Sequence, residues 1–190
     1  MLYNILKSIV IFLLKIFFNF KIKGKEVLPK NKPFILASNH LSNLDPIVLG
    51  AACPFRLVYL AKEELFKNRL FAIFIKRLGA IPVKRETQDI KTLRLAIKIL
   101  QNKPIVIFPQ GRRSKNYDEF KSGIGLIWRK TNAPVIAAKI YGTDKAMPPR
   151  SKFLRLANIS VIFDLVSNLE EKDTNDIIAF KVIEKIRSLN

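Results

Sequence analysis

Beyond Gly24 the chain alternates short, unbroken apolar runs with longer stretches in which apolar positions return every three or four residues. The short runs, residues 33–38, 56–60, 80–83, 104–108, 135–140 and 159–163, are rich in Ile, Val, Leu and Phe, as buried strands are. The periodic stretches predict helices over residues 46–52, 70–78, 87–101, 122–130 and 173–189. Within 87–101, Ile90, Leu93, Ala96, Ile97 and Leu100 fall on one helical face, with Thr87 placed to cap the amino end. Such alternation, with strands apolar on both faces, predicts an α/β fold: a mostly parallel central sheet flanked by helices. In such sheets ligands gather at the carboxyl ends of the strands. No internal repeat and no linker divides the body of the chain.

The first twenty residues follow a different rule. Their five polar members, Asn4, Lys7, Ser8, Lys15 and Asn19, fall on a helical arc of about 120°, leaving about 240° wholly apolar. This describes a helix lying in a bilayer interface. A spanning helix is the rival, with Lys15 placed inside the bilayer at a cost of about 2.5–3.5 kcal/mol. A helix packed on the protein's own core is a third reading. A cleaved signal peptide fits poorly, because Lys21-Ile22-Lys23 follows in place of a small-residue cleavage site.

Composition narrows the chemistry. At 190 residues the chain suits one domain with a single sizeable core. Its 34 Lys and Arg against 15 Asp and Glu give a formal charge of +19, a field that attracts phosphate on lipids, nucleic acids or acidic carriers. Part of that excess reflects a Lys- and Ile-rich composition. One Cys and one His exclude an intramolecular disulfide and a His/Cys metal cluster. No helix-turn-helix, zinc finger or aromatic RNA-binding signature is visible, so nucleic acid is not an expected partner.

Four segments follow predicted strands. The first runs Asn39-His40-Leu41-Ser42-Asn43-Leu44-Asp45-Pro46. His40 can accept a hydroxyl proton if a carboxylate fixes its tautomer, and Asp45 is the candidate. Contact across five residues requires a bend, for which Ser42 and Asn43 supply turn chemistry. Asp45 before Pro46 is equally a helix cap, and the two roles can coexist. The second segment, Gly79 to Arg85, ends in the cations Lys84 and Arg85. The third, Phe108-Pro109-Gln110-Gly111-Arg112-Arg113-Ser114-Lys115, joins a glycine turn to cations, a pairing that suits phosphate; solvated loops are the plainer reading of both. The fourth, Pro134 to Ala138, is apolar core. Cys53 is a buried apolar residue by type.

Together these segments resemble the glycerolipid acyltransferases typified by 1-acylglycerol-3-phosphate (lysophosphatidic acid) acyltransferase. Asn39, His40 and Asp45 meet that family's N-H-x4-D motif in full. Gly79 to Arg85 matches its second block. Phe108, Pro109, Gly111, Arg113 and Ser114 match F-P-E-G-T-R-S, Phe120-Lys121-Ser122-Gly123 its F-K-x-G, and Pro134-Val135-Ile136 its fourth block. Order and spacing over residues 24–165 make the match specific. Three positions depart: Gln110 for glutamate, Arg112 for threonine and Ala137 for a common proline.

The polar arc marks residues 1–20 as a membrane-interface helix, and the resemblance implies an acyltransferase domain over 21–190. It implies acyl transfer from a thioester to the sn-2 hydroxyl of 1-acylglycerol-3-phosphate, making phosphatidic acid in phospholipid biosynthesis. His40 and Asp45 would be catalytic. Arg85 and Arg113, with Lys84, Arg112, Gln110 and Gly111, would bind substrate, amides near Gly111 facing the oxyanion. No cofactor or metal is implied; the donor would be acyl carrier protein or coenzyme A thioester. The implied location is the cell membrane, peripheral or monotopic on the cytoplasmic face. Another lysolipid acceptor, or a non-catalytic basic protein bound to membrane or nucleic acid, are the alternatives.

Overall fold

A computed structural model describes residues 2–83, 90–149, 151 and 153–190. Helix α1 (Leu2–Phe18) leads into β1 (Lys21–Lys23), β2 (Ile35–Ser38), α2 (Asp45–Ala52), β3 (Val58–Lys62), α3 (Arg69–Arg77) and β4 (Ala80–Val83). Then come α4 (Ile90–Ile99), β5 (Ile105–Ile107), α5 (Gly123–Thr131), β6 (Val135–Tyr141), α6 (Thr143–Ala146), β7 (Ser160–Leu165) and α7 (Asn175–Ser188). Thr87, the expected cap of α4, lies outside the described residues. Every strand and helix expected from the pattern is present within a few residues, and α3 is capped by Asn68, whose side chain accepts from Phe71 N–H.

Among the described residues seven strands lie in the order β1-β7-β6-β2-β5-β3-β4. From β6 to β4 all neighbours are parallel, and β7 alone runs antiparallel to β6, with β1 parallel to β7. The fold is therefore α/β with a mostly parallel central sheet. Strand β2 sits at its centre between β5 and β6, buried on both faces. Its alternation divides the core, Leu36 facing one layer, Ile35 and Ala37 the other. Helices α1 and α2 cover the first face, through Leu14, Phe18, Val48 and Leu49. Helices α4, α5 and α7 cover the second, through Ala96, Ile124, Ile127, Val182 and Ile186. The chain advances across the sheet from β2 to β3 to β4, so right-handed crossovers place α3 on the same side as α2.

Helix α1 divides its wide apolar arc between two uses. Val10, Leu14 and Phe18 pack on the first core, while Ile5, Ile9, Phe12, Ile16 and Phe17 face outward. The polar stripe of Asn4, Ser8 and Lys15 is exposed, and Lys7 reaches the other way to donate to the Cys53 carbonyl at the end of α2. The core-packing reading and an outward apolar face thus hold together on one helix. No helix among the described residues is long and apolar enough to cross a membrane.

Candidate active site

The central position of β2 decides where the chemistry sits. Its carboxyl end delivers residues 39–45, and the neighbouring β5 delivers residues 108–116 to the same edge of the sheet. Asn39 fastens the first loop: its amide donates to the Ile140 carbonyl at 2.9 Å and accepts from Ile140 N–H at 2.8 Å. The second loop grips His40 from both sides. Ser114 N–H donates to the His40 carbonyl at 2.9 Å, and His40 N–H donates to Gln110 Oε1 at 3.3 Å.

The bend that the sequence required is present. Asp45 N–H donates to the Ser42 carbonyl, and the Ser42 hydroxyl accepts from Leu44 N–H while donating to the Met147 carbonyl. This turn brings His40 Nδ1 within 2.8 Å of Asp45 Oδ2. The same oxygen accepts from Leu41 N–H at 2.6 Å and Ser42 N–H at 2.8 Å. Asp45 is fully buried and opens α2, yet its carboxylate bonds backwards to the loop; the helix cap is Leu44, without a side-chain bond. Asp45 Oδ2 thus bonds the His40 ring and its loop and does not cap α2. A carboxylate accepts only, so His40 carries its hydrogen on Nδ1, leaving the Nε2 lone pair to take a proton. The ring is stacked against Phe108, centroids 4.2 Å apart, which further fixes its plane.

The expected substrate-binding residues separate into groups. Arg113 stays with the base: its Nη1 donates to Asn43 Oδ1 at 3.0 Å, inside the His40 loop. Arg112 turns away to an ion pair with Glu119 on the surface. Gln110 does not face the site as expected. It is 5% exposed, and besides accepting from His40 N–H it donates to the Ser114 and Asn116 carbonyls at 2.9 and 2.6 Å. Its partners are all backbone, so it holds loop to loop. Gly111 has φ +68°, a backbone conformation that favours glycine, and the Lys121 side chain crosses it, with Cε 2.9 Å from where a Cβ would stand. Gly111 N–H itself donates to the Phe108 carbonyl, which removes that amide as an oxyanion donor. Lys84 and Arg85 lie outside the described residues; β4 ends at Val83.

Lys121 is the group that sequence reasoning left out of the site. The F-K-x-G match signalled it, but its place over Gly111 depends on the Lys121 N–H bond to the Pro109 carbonyl. Beside it opens a cavity of about 380 Å³ walled by β3, β5, α4 and α5. Val106, Leu93, Ala96, Ile124 and Ile127 make its interior apolar, and Phe108 is shared between this cavity and the His40 ring. Cys53 is remote from all of this: buried at the far end of α2, its thiol is pushed up to about 11 by desolvation. A nucleophilic thiolate is not available there.

A half-buried His40 hydrogen-bonded to a fully buried Asp45 lies at the carboxyl ends of parallel strands, with cations on the adjoining loop. The acyltransferase family profile matches residues 19–141, and the chain belongs to that family. It is 36% identical over 124 residues to a 1-acyl-sn-glycerol-3-phosphate acyltransferase of Bacillus subtilis, covering 64% of this chain and 62% of that one. It is 29% identical over 147 residues to the protein of that name from Streptococcus pneumoniae, covering 75% and 55%. Its fold matches the crystal structure of the 1-acyl-sn-glycerophosphate (LPA) acyltransferase, PlsC, from Thermotoga maritima. The TM-score is 0.75 at 21% identity, over 97% of this chain and 78% of that one. The chain thus spans between half and two thirds of the Bacillus and Streptococcus relatives.

Proposed function

We propose that the protein acylates the sn-2 hydroxyl of 1-acylglycerol-3-phosphate from an acyl thioester, forming phosphatidic acid at a membrane surface. The observation that carries this is the His40 Nδ1–Asp45 Oδ2 contact at 2.8 Å, which leaves Nε2 basic beside a cationic loop. His40 Nε2 takes the hydroxyl proton as that oxygen attacks the thioester carbonyl carbon. When the C–S bond breaks, the thiolate leaves and takes the proton from His40, restoring the base. Asp45 stabilises the imidazolium between these steps. Arg113 holds the acceptor phosphate, joined by Lys121 at the cavity mouth and by Arg85 and Lys84 from the second motif block. The apolar cavity beyond Phe108 accepts an acyl chain, and acyl carrier protein or coenzyme A delivers it. The outward half of α1 rests in the bilayer interface on the cytoplasmic face.

The test is direct: purified protein, labelled acyl-carrier-protein and coenzyme A thioesters, and a panel of lysolipids differing in headgroup, with products separated by thin-layer chromatography. Labelled phosphatidic acid from lysophosphatidic acid, in excess over product from zwitterionic lysolipids, is expected. Transfer to a different lysolipid in preference would overturn the acceptor assignment. No transfer from either thioester to any acceptor would overturn the reaction.

A further inference from the structure

Helix α3 presents a second apolar surface that neither core uses. Ala72 turns inward, and opposite it Leu70 is 81% exposed, with Phe71, Ile73 and Phe74 also at the surface. Leu70 and Phe74 are four residues apart and side by side on the outermost line of the helix. Arg69, Lys76 and Arg77 flank that line, with Lys67 just before it, and no acidic residue occurs from Leu65 to Arg85. An exposed helix carrying large apolar groups between cations matches an interface of acyl chains under anionic headgroups.

Placement strengthens the match. The right-handed β3–β4 crossover puts α3 on the face of the sheet that α1 covers. Arg56 joins them at one end, its guanidinium over the Tyr3 ring at 5.2 Å and donating to the Arg77 carbonyl at 2.8 Å. The other end of α1 meets the strand ends that carry the site, through the Ile159 N–H bond to the Phe18 carbonyl. Both helices that Arg56 joins thus carry exposed large apolar side chains, Ile5 and Ile9 on α1 and Leu70 and Phe74 on α3. Resting on the membrane reading of α1 given above, we infer that α3 is a second contact with an anionic bilayer, its Leu70–Phe74 line inserted and its cations at the headgroups.

The experiment uses the full chain and flotation with vesicles of phosphatidylcholine alone, or phosphatidylcholine and phosphatidylglycerol in equal parts. Both residues of the pair Leu70→Glu with Phe74→Glu are surface groups, and unchanged circular dichroism and melting temperature verify the fold. The expected result is a fall in partitioning to the mixed vesicles of at least about tenfold. A second variant, Arg69→Gln with Lys76→Gln and Arg77→Gln, should weaken binding to mixed vesicles while leaving the weaker binding to phosphatidylcholine nearly unchanged. Wild-type partitioning by a folded Leu70→Glu, Phe74→Glu protein overturns the inference. So does intact vesicle binding with a raised KM for acyl carrier protein thioester alone, which would make α3 a docking surface for the carrier. Flotation requires no acyl transfer, so a protein inert toward every lysolipid would sink the proposed reaction while leaving this result readable.

Discussion

The two loops that meet over β2 and β5 are held in opposite ways. In residues 39–45 the buried polar side chains are tied down by backbone: Asn39 to Ile140, Ser42 to Met147, Asp45 to Leu41 and Ser42. In residues 110–116 the cations are exposed and reach side-chain partners one at a time, Arg112 to Glu119, Arg113 to Asn43 and Lys115 to Asp144. A general base needs a fixed ring and a fixed tautomer, since small misplacements cost turnover. An anion site needs charges that can exchange weak surface partners for a phosphate. Gln110 is the joint between these regimes, with one end on His40 and the other on Ser114 and Asn116.

The fixed loop should therefore give the largest mutational effects. His40→Ala should lower turnover by about 10²–10⁴-fold or more. The fold should survive, because the bonds from Gln110 and Ser114 engage the His40 backbone and remain. Turnover within threefold of wild type, with an unchanged melting temperature, would break the assignment of His40. Asp45→Asn should follow at about 10²-fold, because an amide facing Nδ1 no longer specifies the tautomer with the base on Nε2. Steady-state rates at saturating acceptor measure both.

Gln110 tests the joint. From sequence alone, Gln110→Glu is a charge change near a phosphate, expected to alter acceptor preference with turnover within about tenfold. The observed contacts predict otherwise. A carboxylate would set an oxygen against the Ser114 and Asn116 carbonyls, where the amide now donates. The unsatisfied buried group should cost about 1–3 kcal/mol of stability at about pH 8, and turnover should fall as the His40 backbone loses its fixed position. Those carbonyls disfavour the ionised acid and raise its pKa, so the protonated form, which can donate, gains as pH falls. The ratio of variant to wild-type turnover should therefore rise from about pH 8 to about pH 6. A ratio constant across that range would refute the clamp. Among the cations, Arg113→Lys should raise KM for lysophosphatidic acid more than KM for the donor, by loss of the fork geometry. Arg112→Lys, already paired to Glu119, should alter both less.

What was legible in the sequence follows the range of the forces involved. Period and apolar runs depend on neighbours in the chain, so β2 to β6 and the long helices were visible within a few residues. Strand β1 was not, because Lys21-Ile22-Lys23 is short and mostly polar and gains its place only by pairing with β7. The reversal of β7 against β6 is likewise a matter of chain path. The His40–Asp45 contact was legible because five residues with turn chemistry can close only a few ways. Gln110 was misplaced because its partners include the backbone of His40, 70 residues away. Lys121 was left out because its position over Gly111 is fixed by a loop with no period.

The weakest effect should come from the loop's outer fastening. Lys115 Nζ is 2.7 Å from Asp144 Oδ2, with the lysine fully exposed, and the hydrogen bond to Asp144 raises the lysine pKa. A group with a raised folded pKa contributes stability that is fully present below its ordinary value and is lost as pH rises through the folded one. Any contribution should therefore be level across neutral and mildly alkaline pH and disappear only above the ordinary lysine range. Solvent and salt screen such a pair strongly, so Lys115→Gln should shift the melting temperature by an amount near the detection limit, and less at high salt. Turnover should change little for the same reason, because Ser114 N–H still holds the His40 carbonyl when the neighbouring lysine is gone. Thermal melts at low and high salt, alongside turnover, measure this. A Lys115→Gln loss as large as that of Gln110→Glu would mean that the cationic loop is held as rigidly as the base, and the contrast between the two loops would fail.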